Sequence, residues 1–441
     1  MRITRIAVLG AVALGACTSS APGPSTGAAP AGAPRCCLAP GLHIAERHRV
    51  AEIPGRRFTH AELWSALEPV VRSSPALGMR EVGRSIQGRP IRAITYGTGP
   101  TTVLLWSQMH GDESTATMSL ADIVSWLAAP SVADDALRRR IASELTVVMV
   151  PMLNPDGAEL FQRQNAVGID VNRDARRLTT PEARTLKSLR DSIRPAFGFN
   201  LHDQSARNVA GRGGQQVAIA LLAPAADEAR TYGPVRSVAR QVAAEIAGVL
   251  AQEIPGRVAR YDDTFEPRAF GDLMQQWGTS TVLIESGAMP DDPEKQRLRA
   301  INVAAIVSAL DAIATGRHAA ANVAAYESLP MNARLPSDVV ILGGTLVLPG
   351  AQAIRADLAI TFEDPVAARV PRVREVGDLS SNAAMDTVDA TGLFLHPDPA
   401  MLTGDGERRW LRIDAPVSLT IRRGRDPSSE RVLTIGADGV R

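Results

Sequence analysis

From about residue 41 to about residue 316, short apolar runs alternate with stretches whose apolar positions recur at helical spacing, the pattern of an α/β unit. Val103, Leu104, Leu105 and Trp106 form one such run and residues 145–150 another; both read as buried strands. Residues 114–127 read as a helix opened by Ser/Thr, and 235–250 and 297–314 repeat apolar residues at helical spacing. Beyond residue 320 the texture changes. Residues 339–348, 356–362, 411–413, 417–421 and 432–435 are short strand candidates separated by Gly, Pro and Asp, which predicts a small all-β unit over 330–441, arranged as a sandwich.

A chain of 441 residues exceeds what one hydrophobic core usually organises, in keeping with two folded units behind a processed N-terminus. Arg2 and Arg5 precede an apolar run at 6–14 that is too short to span a bilayer and reads as an export signal. Leu14, Gly15, Ala16 and Cys17 follow and resemble a bacterial lipobox. Residues 1–17 are therefore expected to be a lipoprotein signal, with Cys17 lipidated. The folded part is then held at the cell envelope, in the periplasm or outside the membrane. Residues 18–40, rich in Ser, Ala, Pro and Gly, cannot bury enough apolar surface to fold and read as a tether. Cys36 and Cys37 are adjacent, where a mutual disulfide strains the peptide between them, and no second cysteine cluster exists to complete a metal site.

With 45% hydrophobic residues and a formal net charge of +1, nothing in the balance points to nucleic acid or an anionic surface as partner. Only Lys187 and Lys295 are lysines, so 46 of the 48 basic residues are arginine, and a single arginine carries little functional weight without a motif around it.

The chemistry starts at Trp106–Glu113, where His110 and Glu113 stand three residues apart just after a strand. His202 ends a further strand-like run, and two histidines with one carboxylate leave a fourth zinc position open, as hydrolysis requires. The remaining histidines, His43, His48, His60, His318 and His396, lie in polar or terminal contexts and read as surface or packing residues.

Further segments follow in order: 83–91 (beginning Gly83, Arg84, Ser85), 110–113, Asn154 to Gly157, Gly168 to Arg173, His202, and Leu283 to Gly287. Over 83–287 this series resembles the M14 zinc metallocarboxypeptidases. The resemblance implies a mixed parallel and antiparallel sheet flanked by helices over 41–317, and one zinc per chain held by His110, Glu113 and His202. It makes Glu285, presented at a strand end, the general base, and Arg163 the group that polarises the scissile carbonyl. Asp170 would accept the second ring N–H of a zinc histidine, while Asn172 and Arg173 would receive a substrate's terminal carboxylate. The family commonly places a mobile tyrosine shortly before the base. Here the nearby tyrosine is Tyr261, 24 residues ahead of Glu285, and it is the candidate for that part.

The function implied is zinc-dependent hydrolysis of a C-terminal peptide bond, on a peptide with a free carboxylate. A cell-envelope amidase or muropeptide carboxypeptidase acting on peptidoglycan peptides would use the same core. A zinc-fold binding module without turnover is a further alternative, opposed by the joint presence of His110, Glu113, His202 and Glu285.

Overall fold

The computed structural model describes residues 40–129, 135–405, 408–437 and 439–440. The expected export segment with Cys17, the tether up to residue 39, and Cys36 and Cys37 lie outside the described residues. The chain divides into two compact units, the first Ala39–Pro336 with Asp364–Ala367, the second Ser337–Glu363 with Ala368–Arg441.

Strands of the first unit are β1 (Leu77–Arg84), β2 (Pro90–Tyr96), β3 (Thr101–Ser107), β4 (Leu145–Val150), β5 (Phe197–Asp203), β6 (Asn208–Ala210), β7 (Ile219–Leu222), β8 (Val258–Arg260), β9 (Ser280–Ser286) and β10 (Asn332–Arg334). β6 and β10 pair with each other; the rest form one eight-stranded sheet in the order β1-β2-β4-β3-β5-β9-β7-β8. The sheet is mixed: β4, β3, β5 and β9 run parallel, β1 and β2 meet their neighbours antiparallel, and β7 runs antiparallel to β9 but parallel to β8. Helices are α1 (Pro40–Arg47), α2 (His60–Arg72), α3 (Thr115–Ala128), α4 (Asp135–Glu144), α5 (Pro155–Glu159), α6 (Pro181–Ile193), α7 (Pro234–Glu253), α8 (Phe270–Gln276) and α9 (Gln296–Ala314). A capping box opens α2, with Thr59 and Glu62 satisfying each other's backbone N–H.

The central strands are apolar on both faces because helices cover both. Val103, Leu105, Phe199 and Ile284 pack in one core with Leu63 of α2, Leu120 of α3, Ile246 of α7 and Ile306 of α9. The alternate residues Leu104, Trp106 and Val148 face α6 and α8 through Leu186, Leu189, Phe270 and Met274. Successive residues of one strand thus serve two cores, and the runs at 103–106 and 145–150 show no polar alternation for that reason.

The second unit holds a four-stranded sheet (Arg369–Gly377, Asp357–Asp364, Ser337–Leu342, Ala384–Asp389) and a six-stranded one (Ile354–Arg355, Thr345–Leu346, Phe394–Pro397, Leu419–Arg422, Arg431–Gly436, Gly439–Val440). Val339, Ile341 and Ile360 of the first sheet share one core with Leu346, Leu395, Leu419, Ile421 and Ile435 of the second, so the unit is a β-sandwich. Two expected strands need correction. The run 339–348 is broken at Gly343, whose φ of +73° turns the chain out of one sheet before it joins the other. The 411–413 strand ends at Leu411, and Ile413 is exposed.

Candidate metal centre

Because β3, β5 and β9 run parallel, their C-terminal ends finish on one edge of the sheet. His202 of β5 lies in register with Glu285 of β9, and Asn200 with Leu283 two residues earlier. β3 leaves the sheet through Gln108, whose φ of +50° is unfavourable for a residue with a Cβ, and the loop that follows carries His110 and Glu113. That loop lies directly on the turn at 154–157: a Cβ on Gly111 would sit 2.0 Å from the Gly157 carbonyl carbon. Asn154 accepts the Gly157 N–H at 2.9 Å and donates to the Met109 carbonyl at 3.2 Å. Asp156 in turn accepts from Ser85 Oγ (2.7 Å), the Gln87 N–H (2.9 Å) and Arg89 (2.7 Å). Three motifs singled out in the sequence, at 83–91, 110–113 and 154–157, are therefore parts of one scaffold beneath His110.

His110 Nδ1 lies 2.7 Å from Glu113 Oε1, His202 Nδ1 lies 2.6 Å from Glu113 Oε2, and the two nitrogens are 3.2 Å apart. All three side chains are buried, and their donor atoms lie within 4.8 Å of one another. Two nitrogens bound to a tetrahedral zinc at about 2.0–2.1 Å stand about 3.3–3.4 Å apart, so the spacing fits that ion. His110 Nε2 faces Asp170 Oδ1 at 2.9 Å, which keeps the hydrogen on Nε2 and turns the Nδ1 lone pair toward Glu113 and His202. Two imidazoles and one carboxylate, with one imidazole held from behind by an aspartate, make a donor set suited to zinc.

The buried charges shift one another. Burial opposes the charging of His110, but the charge of Glu113 and the hydrogen bonds that Asp170 and Glu113 accept outweigh it and raise the imidazole to about 9. Burial also works against ionised Glu113, yet the two histidines hold its carboxyl well below the usual range. His202, buried without a carboxylate behind it, is lowered. Asp170 stays below the usual carboxylate range despite burial, through His110 and the guanidinium groups of Arg163 and Arg173. Glu285 goes the other way: burial first, then the charge of Glu113, push it well above an ordinary glutamate.

A cavity of about 530 Å³ is lined by His110, Glu113, His202 and Glu285 and also reaches Arg163, Arg173 and Tyr261. Arg163 sits against the donor atoms, 3.1 Å from Glu113 Oε1, and its Nε donates to Asp170 Oδ2 at 3.0 Å. Arg173 donates to the Asn172 carbonyl at 2.9 Å and lies 3.4 Å from Glu266. Asn172 is more engaged than its sequence suggests. Its Oδ1 accepts the Phe270 N–H at 2.9 Å, fastening the start of α8, and its Nδ2 is 3.4 Å from His202 Nε2. Tyr261, just after β8, feels the charge of Glu285 first and burial second, both raising its pKa. All nine expected site residues among the described residues thus gather in one place.

Other residues of the cavity went unread. Asp203, next to His202, donates its backbone N–H to Glu113 Oε2 at 3.1 Å. Asn200 and Asp272 line the wall beside Leu283 and Gly271. Asn200 was discoverable, since it stands two residues before His202 and so on the same face of β5. Asp272 has no local signal, and only α8's position brings it in.

Residues 65–206 match the zinc carboxypeptidase family. Carboxypeptidase E of Caenorhabditis elegans is 28% identical over 140 residues, 27% of this chain and 30% of that protein. Carboxypeptidase 2 of Trichophyton rubrum is 28% identical over 148 residues, 31% of this chain and 27% of that protein. The chain thus spans less than a third of the length of these carboxypeptidase relatives. Among solved structures, a metallo-carboxypeptidase from Burkholderia cenocepacia aligns with a TM-score of 0.48 at 18% identity, over 60% of this chain and 70% of that one. A metallo-carboxypeptidase from Pseudomonas aeruginosa aligns with a TM-score of 0.45 at 16% identity, over 58% and 70%.

Proposed function

We propose that the first unit is a zinc-dependent carboxypeptidase that removes the C-terminal residue of a peptide. One observation carries the reading: the donor atoms of His110, Glu113 and His202 converge within 4.8 Å, in a cavity shared with Glu285 and the guanidinium groups of Arg163 and Arg173. When bound, zinc supplies Lewis-acid polarisation and makes water more acidic. Glu285 takes a proton from the attacking water and returns it to the leaving amine. Its carboxyl group, buried at the end of β9 in register with His202, is placed to accept that proton beside the donor set. Arg163, beside the donor atoms, stabilises the negative charge that develops on the scissile carbonyl oxygen. Arg173, on the cavity wall, receives the terminal carboxylate in a charge-assisted bond, and one N–H of Asn172 Nδ2 can assist. Tyr261 closes over the substrate from the β8 side.

The decisive measurement is zinc content of the purified chain together with hydrolysis of one peptide as free acid and as C-terminal amide. Stoichiometric zinc and a strong preference for the acid are expected. Equal rates on the two forms would exclude carboxylate anchoring and favour an amidase or endopeptidase.

We also propose that the chain is exported and tethered through a lipid on Cys17, a reading supported by the N-terminal pattern alone. Among the described residues no helix is long and apolar enough to cross a membrane. Cys17→Ser should leave the membrane fraction or stay unprocessed. Normal cleavage with full membrane partition would refute the lipobox.

A further inference from the structure

In a chain that uses arginine for 46 of its 48 basic residues, Lys295 is one of two lysines and is nearly buried, its side chain 5% exposed. It stands immediately before α9 with a φ of +54°, a left-handed conformation that costs a residue bearing a Cβ. Its Nζ donates to Asp203 Oδ2 at 2.8 Å, and Thr115 Oγ1 donates to the same oxygen at 2.6 Å. Asp203 is also nearly buried, and its backbone N–H donates at 3.1 Å to Glu113 Oε2, the oxygen that lies 2.6 Å from His202 Nδ1. A continuous line of polar contacts therefore runs from the start of α9 to a proposed metal ligand.

We propose that Lys295, acting through Asp203, holds Glu113 in the orientation that ligates zinc, and is thus a positioning residue for the metal centre. The inference rests on the zinc reading of His110, Glu113 and His202. Glu113 belongs to a loop with no helical or strand hydrogen bonds of its own, so its carboxylate needs an outside anchor. The Asp203 N–H anchors Oε2, while Arg163 holds Oε1. The pairing of Asp203 with Ser286 of β9 holds its backbone, and its side chain is pinned from two further elements, α3 through Thr115 and the start of α9 through Lys295. The lysine also supplies the positive charge without which Asp203 would be a buried, unpaired carboxylate beside Glu113 and Glu285. A compact ammonium can approach a single carboxylate oxygen that a hydroxyl already occupies. A guanidinium brings five N–H groups in a rigid plane and would leave most of them unsatisfied there, which accounts for a lysine where the chain elsewhere prefers arginine.

The test measures zinc affinity by competition with a chromophoric chelator, and the visible spectrum of the cobalt-substituted protein, for the full chain and its variants. Removing an outer partner of a metal ligand typically weakens metal affinity about 10–100-fold. Lys295→Met should show a loss of that size with an altered cobalt spectrum, because Glu113 coordinates differently. Lys295→Arg should not restore the parent spectrum. Thr115→Val, which deletes one bond to Asp203, should lose affinity in the same direction by less. A folded Lys295→Met protein with parental zinc affinity and cobalt spectrum overturns the proposal. If Lys295→Met does not fold, Thr115→Val decides alone, and parental affinity there overturns it equally. His202→Ala separates the two levels. Should it hold zinc as tightly as the parent, the metal reading itself is wrong. If it loses zinc while Lys295→Met and Thr115→Val keep it, only the role of Lys295 fails.

Discussion

The two units bury different things. The sandwich core is built from Val, Ile, Leu, Phe, Met and Ala, and its buried acids, Asp338 and Asp357, accept the backbone N–H groups of Phe362, Gly343 and Leu379. The first unit buries His110, Glu113, His202, Glu285, Asp203, Lys295, Asp122 and Arg299. Some of these are structural: Arg299 and Asp122 are fully buried against each other, with Arg299 also capping the Ile53 and Val50 carbonyls. The rest share one cavity or stand directly behind it. Burying a charge costs several kcal/mol unless it is partnered, so a cluster of that kind persists only where the surrounding fold supplies partners or a ligand does. The contrast places the candidate site in the first unit, whereas Asp338 and Asp357 of the second are partnered by backbone N–H groups.

The sharpest way to break the contrast is Glu285→Gln. The amide keeps the shape and removes the base, so kcat/KM should fall by about 10²–10⁴ while zinc content stays at the parental level. A variant that turned over at a tenth of the parental rate or better would move the base elsewhere.

Arg173→Ala should act on recognition. A hydrogen bond to a charged group contributes about 1.5–3 kcal/mol, so kcat/KM for the free acid should fall roughly 10- to 150-fold and approach that for the amide, which changes little. An equal loss on both substrates would give Arg173 a role unrelated to the terminus.

A smaller effect is expected in stability against pH. Burial is the chief cause that raises Asp272 to about 7, with the charge of Glu266 adding and Arg173 opposing. A carboxyl whose folded pKa lies above its unfolded value stabilises fully below the unfolded value and loses that contribution as pH rises through the folded one. Asp272 should therefore favour the fold below about pH 4 and cease to do so above about pH 7. Asp272→Asn, which keeps an acceptor for the Glu266 N–H, should match the parent in acid and melt a few degrees higher above neutrality. Parallel melting curves across that window would show that Asp272 is not the titrating group.

The smallest effect on the metal centre is expected from the sandwich. Ile341→Ala, at a fully buried core position, should cost about 2–5 kcal/mol of that unit's stability and leave zinc affinity unchanged. A matching loss of zinc would erase the contrast between the units.

Legibility followed the same division. The run 145–150 was readable because burial on both faces keeps it nearly continuously apolar, and 235–250 because burial of one helix face spaces its apolar residues at the helical period. β1 was not, because seven of its eight residues are partly or fully exposed and carry no consistent alternation. Thin strands of the sandwich such as Ala384–Asp389, partly or fully exposed throughout, escaped for the same reason. In the site, His110 and Glu113 were legible as a spaced pair. Asn172 was legible as a motif residue, but its amide's engagement with Phe270 was not, since that partner lies 98 residues away.

By itself the sequence determined the element types of the long periodic segments, the ordered motifs, and the identity of the groups able to carry the chemistry. Only the tertiary structure decided which of those groups meet. The pairing of His202 with Glu285 depends on the parallel register of β5 and β9, and that of His110 with Asp170 on a loop returning across 60 residues. The bond between Lys295 and Asp203 depends on where α9 begins. Periodicity is a local property, set by 3.6 or 2 residues per repeat, and it survives in the sequence. Convergence of strand ends depends on strand order and register across the whole sheet, which no local spacing encodes.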